Sequence, residues 1–344
     1  MSSFTTLAAL LVCLVAAWPP PTLLAATPDP SADEAYSFDD FPREEILVYP
    51  EWFKRSFLDI RADLAEAVAA GKQGLMVYFG QKRCPYCHQL MQVNFGLSDI
   101  VEYTRRHFDV VPIDIWGTEE VTTLDGETLT EREWSRRADS DFTPAILFYA
   151  ADGTVALHLR GYYPPYQFRA ALEYVADGHY RRESFRDYLA RGEDRMVFEP
   201  EDLNEESFFT PPPYNLDRRY PAERPLAVFF EQGDCHPCDV LHGQVLRAPA
   251  IHRYFGEFDS VQLDLRSATP VITPAGQRTT ARDWAAELGL FYAPAILFFD
   301  EQGKELIRVD SVVGFYRLRN VLNYLASRAY LSESYGAWRV SRAF

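Results

Sequence analysis

The feature that most constrains this chain is an internal duplication, because a long repeat fixes the number of folding units before any local reading begins. Cys84 and Cys235 lie 151 residues apart, and the segments Met76–Cys87 and Ala227–Cys238 share the pattern of an apolar run followed by Cys-x-x-Cys. Downstream, Phe108–Ile115 matches Phe258–Leu265, Trp134 matches Trp284, Pro144–Phe148 matches Pro294–Phe298, and Tyr174 and Tyr180 match Tyr324 and Tyr330. Gly161-Tyr162 matches Gly314-Phe315 if a small insertion precedes Gly314. A period near 150 residues means two tandem domains rather than a solenoid.

The expected organisation is a leader peptide at 1–26, a flexible segment at 27–44, a first domain at 45–190, a linker at 191–220 and a second domain at 221–344. Residues 1–26 carry no Lys, Arg, Asp or Glu, and Leu7–Trp18 is an apolar run of export-signal length, too short for a comfortable membrane span. An uncleaved anchor is the alternative; Cys13 matches a lipidation site only loosely, because Val12 stands where a small residue belongs. The row Pro211-Pro212-Pro213 suits a semi-rigid linker. Each unit reads as β-α-β-α-β-β-α, an α/β fold with a central mixed sheet flanked by helices. In the first unit the spacing predicts helices over 53–70, 87–95 and 165–177, a short one around Trp134, and strands over 75–79, 110–115, 145–150 and 156–160. The insertion at 117–132 holds a turn at Asp125-Gly126.

Net charge is −16, which disfavours nucleic-acid partners. Beyond Cys13, the cysteines form two Cys-x-x-Cys pairs and nothing else. A disulfide-stapled scaffold would scatter them. Zinc needs four ligands, and the pairs sit in separate repeats, His88 and His236 adding only one each. A permanent disulfide closing so tiny a loop would stabilise little. A strand running into a pair at the opening of a helix instead suits redox chemistry. Unpaired N–H groups favour a thiolate at Cys84 or Cys235. Cys87 or Cys238, one turn on, is placed to resolve a mixed disulfide. Lys82, Arg83 and His88 flank the first pair, whereas Asp234 and Asp239 flank the second with only His236 to offset them. Cys84 is therefore expected to be the more reactive thiol near neutral pH.

The order strand, Cys-x-x-Cys, helix, then x-Pro before an apolar strand some 60 residues on, resembles the thioredoxin superfamily. The separations are 60 residues from Cys84 to Pro144 and 59 from Cys235 to Pro294. The resemblance implies cis prolines facing the cysteines, with the backbone of Thr143 or Ala293 pairing with a substrate chain. Cys84-Pro85-Tyr86-Cys87, together with Asp114–Gly117, Asp125–Glu127 and Leu129–Glu131, makes the first repeat similar to exported SoxW-type thioredoxins. That likeness implies a reductase of exported disulfide-containing proteins, fed by a membrane thiol-electron donor. The chain is separately expected to be periplasmic or otherwise exported, soluble once the leader is cleaved, monomeric, and without cofactor or metal. The buried Asp that the family keeps six residues before the first cysteine is replaced by Tyr78 and Phe229, leaving Glu231 as a candidate base in the second repeat. The rival functions are a disulfide isomerase or chaperone, and a non-catalytic binding module using exposed aromatics such as Tyr162, Tyr163 and Tyr166.

Overall fold

The computed structural model describes residues 35–140, 142–193 and 203–342; the leader expected at 1–26 lies outside them. In the first unit the elements are α1 (Ile60–Ala69), β1 (Gly74–Gly80), α2 (Pro85–Gln89, continuing as a π-helical turn over Leu90–Asn94), α3 (Ser98–His107), β2 (Phe108–Asp114), β3 (Glu120–Thr122), β4 (Thr128–Thr130), α4 (Glu131–Arg137), β5 (Ala145–Ala150), β6 (Val155–Arg160), α5 (Pro165–Ala176) and α6 (Phe185–Glu193). The second unit has β7 (Tyr214–Asn215), β8 (Leu226–Glu231), α7 (His236–Val240, with its π turn over Leu241–Leu246), α8 (Pro249–Phe255), β9 (Asp259–Asp264), β10 (Pro270–Ile272), β11 (Arg278–Thr280), α9 (Ala281–Glu287), β12 (Ala295–Phe299), β13 (Glu305–Val309), α10 (Phe315–Ala326) and α11 (Tyr335–Ser341).

Each unit is built on a four-stranded mixed sheet, ordered β2-β1-β5-β6 and β9-β8-β12-β13. The inner strand that leads to the cysteines is parallel to one neighbour and antiparallel to the other. Being central, β1 and β8 are buried along their whole length, which is why they read as unbroken apolar runs. The two faces of each sheet carry separate cores, one including Tyr78, Phe108 and Phe148 and the other Phe79, Val111 and Trp134 in the first unit.

Local chemistry sets the helix boundaries. The helix expected from residue 53 starts at Ile60 instead, because Leu58 sits at φ 61° and Asp59 then caps, its carboxylate accepting from Ala62 N at 3.0 Å. Ile60, Asp63, Leu64 and Ala67 make the buried stripe of α1. The turn at Asp125-Gly126 closes the small hairpin β3–β4, and Thr130 and Glu133 form a capping box that opens α4. Helices α3, α6 and α11 are absent from the sequence-based expectation. Only Ile100 and Thr104 of α3 are buried, so its apolar period is too sparse to read.

Three expectations are corrected. The later part of the proposed linker belongs to the second unit: Phe208 and Phe209 pack on its core, β7 pairs with β10, and Arg218 is buried in an ion pair with Asp259 at 2.8 Å. Pro211–Pro213 supply no N–H donors, so this stretch runs extended where the first unit has α1. The segment read as flexible up to residue 44 is packed where it is described, Ala35 and Asp40 being buried. No insertion precedes Gly314 either. β6 and α5 recur as β13 and α10 at a constant offset of 150, making Ser311 rather than Gly314 the counterpart of Gly161.

The two units dock through these equivalent segments. Val312 N donates to Tyr162 O at 3.2 Å, and Gly161, at φ 97°, lies so close to the Ser311 side chain that no Cβ fits. Tyr163 packs against Phe291 and Tyr292. Docking therefore covers Tyr163, while Phe38 packs edge-on against Tyr162 with ring centres 5.9 Å apart; both are buried where the sequence presents them as exposed, and Tyr166 alone of the three is open, at 52%.

Candidate functional site

Both cysteine pairs stand where a central strand hands over to a helix. Cys84 and Cys235 are the N-cap residues of α2 and α7, and each pair is bridged as a disulfide, with Cα atoms 5.1 and 5.2 Å apart. Pro85 occupies the first turn of α2, and Pro237 that of α7, where a missing N–H costs nothing. The N–H of Cys87 points at Cys84 Sγ at 3.0 Å, and that of Cys238 at Cys235 Sγ at 3.2 Å. A charge on the first sulfur of each pair would therefore meet a backbone donor and the positive end of the helical segment. Cys87 and Cys238 are fully buried, Cys84 is 1% exposed and Cys235 5%.

Thr143-Pro144 and Ala293-Pro294 are both cis peptides, at the entry to β5 and β12, which pair with the cysteine-bearing strands. The geometry brings Thr143 onto Cys84: its hydroxyl donates to Sγ at 3.2 Å, and its carbonyl oxygen lies 3.5 Å from the same sulfur. Gln81 orients that hydroxyl, donating to it at 2.9 Å while accepting from Trp116 Nε1 at 2.7 Å. Ala293 has no hydroxyl to offer Cys235. Sequence reasoning missed Gln81 and Trp116, although Gln81 sits three residues before Cys84.

The flanking charges are less tightly placed. Arg83 is exposed, and Lys82 is 3.8 Å from Asp114 while largely in solvent. His88 is half-buried, with Nε2 3.3 Å from Glu45 O. His236 is exposed and meets the ring of Tyr36 edge-on at 5.4 Å.

Under the second site lies a buried polar cluster. Glu231 closes β8, and His242 follows Cys238 by one turn. The two rings of contact are short: His242 Nε2 is 3.0 Å from Glu231 Oε1 and Nδ1 is 3.0 Å from Glu206 Oε1, while Gln262 Nε2 donates to Glu231 at 3.0 Å. Burial pushes the His242 pKa down, but hydrogen bonds and charge from both glutamates outweigh it and hold the group above its usual value. The first unit has Gly80 in place of Glu231, and the Tyr78 ring fills that space: a Cβ on Gly80 would meet Tyr78 Cε1 at 2.5 Å.

Thr143→Val tests the first-site geometry. A hydrogen bond to a charged group contributes about 1.5–3 kcal/mol, so losing the hydroxyl should raise the Cys84 pKa by about 1–2 units. Thiolate absorbance of the reduced protein against pH, with Cys235 and Cys238 replaced by Ser, reads this; an unshifted curve rejects the assignment.

The thioredoxin-like domain model matches the chain twice, over residues 60–176 and 218–326. Among solved structures the chain is similar to a thioredoxin-fold protein from Helicobacter pylori, at 11% identity and a TM-score of 0.32, covering 38% of this chain and 90% of that one. A thioredoxin from Thermus thermophilus matches at 26% identity and a TM-score of 0.26, over 33% and 81% of the two chains. A disulphide isomerase from Xylella fastidiosa matches at 17% and 0.26, over 44% and 100%. No curated protein matches the sequence.

Proposed function

The chain belongs to the thioredoxin-like domain family, and from that premise we propose that it is an exported thiol–disulfide oxidoreductase that reduces disulfides of exported proteins through two dithiol sites. The observation that carries the reading is the placement of Cys84 and Cys235 at helix N-caps, each with a backbone N–H on its sulfur and a partner cysteine one turn away.

In the reduced form, the Cys84 thiolate attacks a substrate disulfide. A bond forms between Cys84 Sγ and one substrate sulfur, and the other substrate sulfur leaves as a thiolate. The Cys87 thiolate then attacks Cys84 Sγ, closing the Cys84–Cys87 disulfide and releasing the second substrate thiolate. Two electrons pass to the substrate, which takes up two protons. Cys235 and Cys238 carry out the same exchange at the second site. Lys82 and Arg83 add positive potential at the first site, whereas Asp234 and Asp239 oppose it at the second; His88 and His236 add to it only when protonated.

Reductase direction, a periplasmic setting and a membrane thiol-electron donor follow the SoxW-type likeness of the first repeat. Among the described residues no helix is long and apolar enough to cross a membrane. The chain is proposed to act as a monomer. Two sites in one chain also raise the effective concentration of each dithiol near the other. Insulin reduction driven by dithiothreitol tests the activity: the chain should accelerate precipitation of the insulin B chain, and a rate no faster than dithiothreitol alone rejects the proposal in favour of a binding module.

A further inference from the structure

Deepening that reading of the first dithiol, we infer that residues 36–41 and Arg317 form an autoinhibitory closure over Cys84, which must open before a protein disulfide can reach the sulfur. The strap crosses both sites. Tyr36 packs on His236 beside Cys235, Ser37 Oγ donates to Gln244 at 2.8 Å, and Phe38 packs edge-on against Tyr86, one of the two residues between Cys84 and Cys87, with ring centres 5.0 Å apart.

Asp40 is the lock. Its carboxylate accepts from Tyr86 Oη at 2.7 Å and from the N–H groups of Tyr316 and Arg317 at 2.9 and 2.8 Å. Tyr86 Oη in turn accepts from Gly314 N at 2.7 Å. α10 has no cap from its own N-cap residue, so a carboxylate far away in sequence satisfies its first N–H groups and faces its positive end.

That arrangement delivers Arg317 to the first site. Its guanidinium is buried, stands 3.3 Å over the Tyr86 ring and donates to Thr143 O at 2.8 Å and Val312 O at 3.4 Å. Thr143 O belongs to the backbone on which an incoming chain would form a β-bridge. The closure thus fills the substrate's hydrogen-bonding position and packs on Tyr86, beside a nucleophile that is 1% exposed. The strap pairs with neither central sheet and is held by side-chain contacts, so it can open at a free energy well below that of global unfolding.

Alkylation of the reduced full chain with iodoacetamide at mildly acidic pH, resolved by peptide mass, tests the closure. Asp40→Ala removes the lock. Gly314→Ala keeps every hydrogen-bonding group but places a methyl carbon 2.5 Å from Asp40 Cγ, and φ there is an ordinary −98°. Each variant should raise Cys84 alkylation by about tenfold or more, and by more than it raises that of Cys235, which lies beside Tyr36 at the far end of the strap from Asp40. Unaltered hydrogen exchange in β1 shows that the fold is retained. If a variant loses the fold, the other decides. A Cys84 rate within about twofold of the wild type in a folded variant overturns the inference. Alkylation needs no turnover, so increased reactivity without insulin reduction would leave the closure standing and reject the oxidoreductase reading instead.

Discussion

The double variant Cys84→Ser/Cys235→Ser is expected to reduce insulin no faster than dithiothreitol alone, a loss of about 10³-fold or more, because a serine hydroxyl is not ionised near neutral pH and cannot exchange with a disulfide. Either single variant should keep the activity of the remaining site. The distinction rests on geometry. Each first cysteine has its own N-cap donor, its own partner in the next turn and its own cis-proline loop. Cys87→Ser/Cys238→Ser should instead accumulate a mixed disulfide with the substrate, visible as an added mass removed by reductant. Loss of all activity in one single variant would show that only one dithiol meets substrate.

The second large effect concerns stability. Below pH 6.5, where His242 is protonated, His242→Leu leaves Glu231 buried and stripped of its charged partner, and breaking a buried pair from one side costs about 3–5 kcal/mol. Glu231→Leu/His242→Leu should recover most of that loss, because the double change removes the charge with its partner. Hydrogen exchange in β8 and β12 against urea reads the second unit separately from the first. The pH dependence has a defined sign. His242 is held above its ordinary value of 6.5 in the folded chain, so its contribution is complete below that pH and fades as pH rises through the raised folded value. The second unit should therefore weaken from about pH 6.5 upwards, and His242→Leu should flatten that slope. A variant as stable as the parent would show that the cluster carries no charge pair.

Much of the fold was legible because its signals are local. The unbroken runs at 75–79 and 145–150 are central strands, and Pro85, Pro144 and Pro294 punctuate the chain where the sheet hands over to helix or receives the next strand. The duplicated Cys-x-x-Cys pairs marked both sites. What was hidden depends on contacts between distant segments. Asp40 looked like part of a polar leader, and only its meeting with Tyr86, Tyr316 and Arg317 gives it a role. Arg317 sits in an amphipathic helix of the second unit and reaches Thr143 only after the units dock. Tyr162 and Tyr163 were misread for the same reason, since Phe38 of the distant N-terminal segment packs on the first and Phe291 and Tyr292 of the second unit pack on the second. Glu231 was visible as an acid near a cysteine pair, but its partner His242 carries no recognisable spacing.

As an oxidoreductase the chain must open and close both cysteine pairs reversibly without unfolding. Equilibration of the full chain in graded mixtures of reduced and oxidised dithiothreitol, followed by acid quenching, alkylation and peptide mass analysis, measures this for each pair at once. A separate two-electron transition is expected at Cys84–Cys87 and at Cys235–Cys238, with native hydrogen exchange in β1 and β8 on both sides of each. A pair that stays bridged until its strands lose protection would be a structural crosslink and would contradict that expectation.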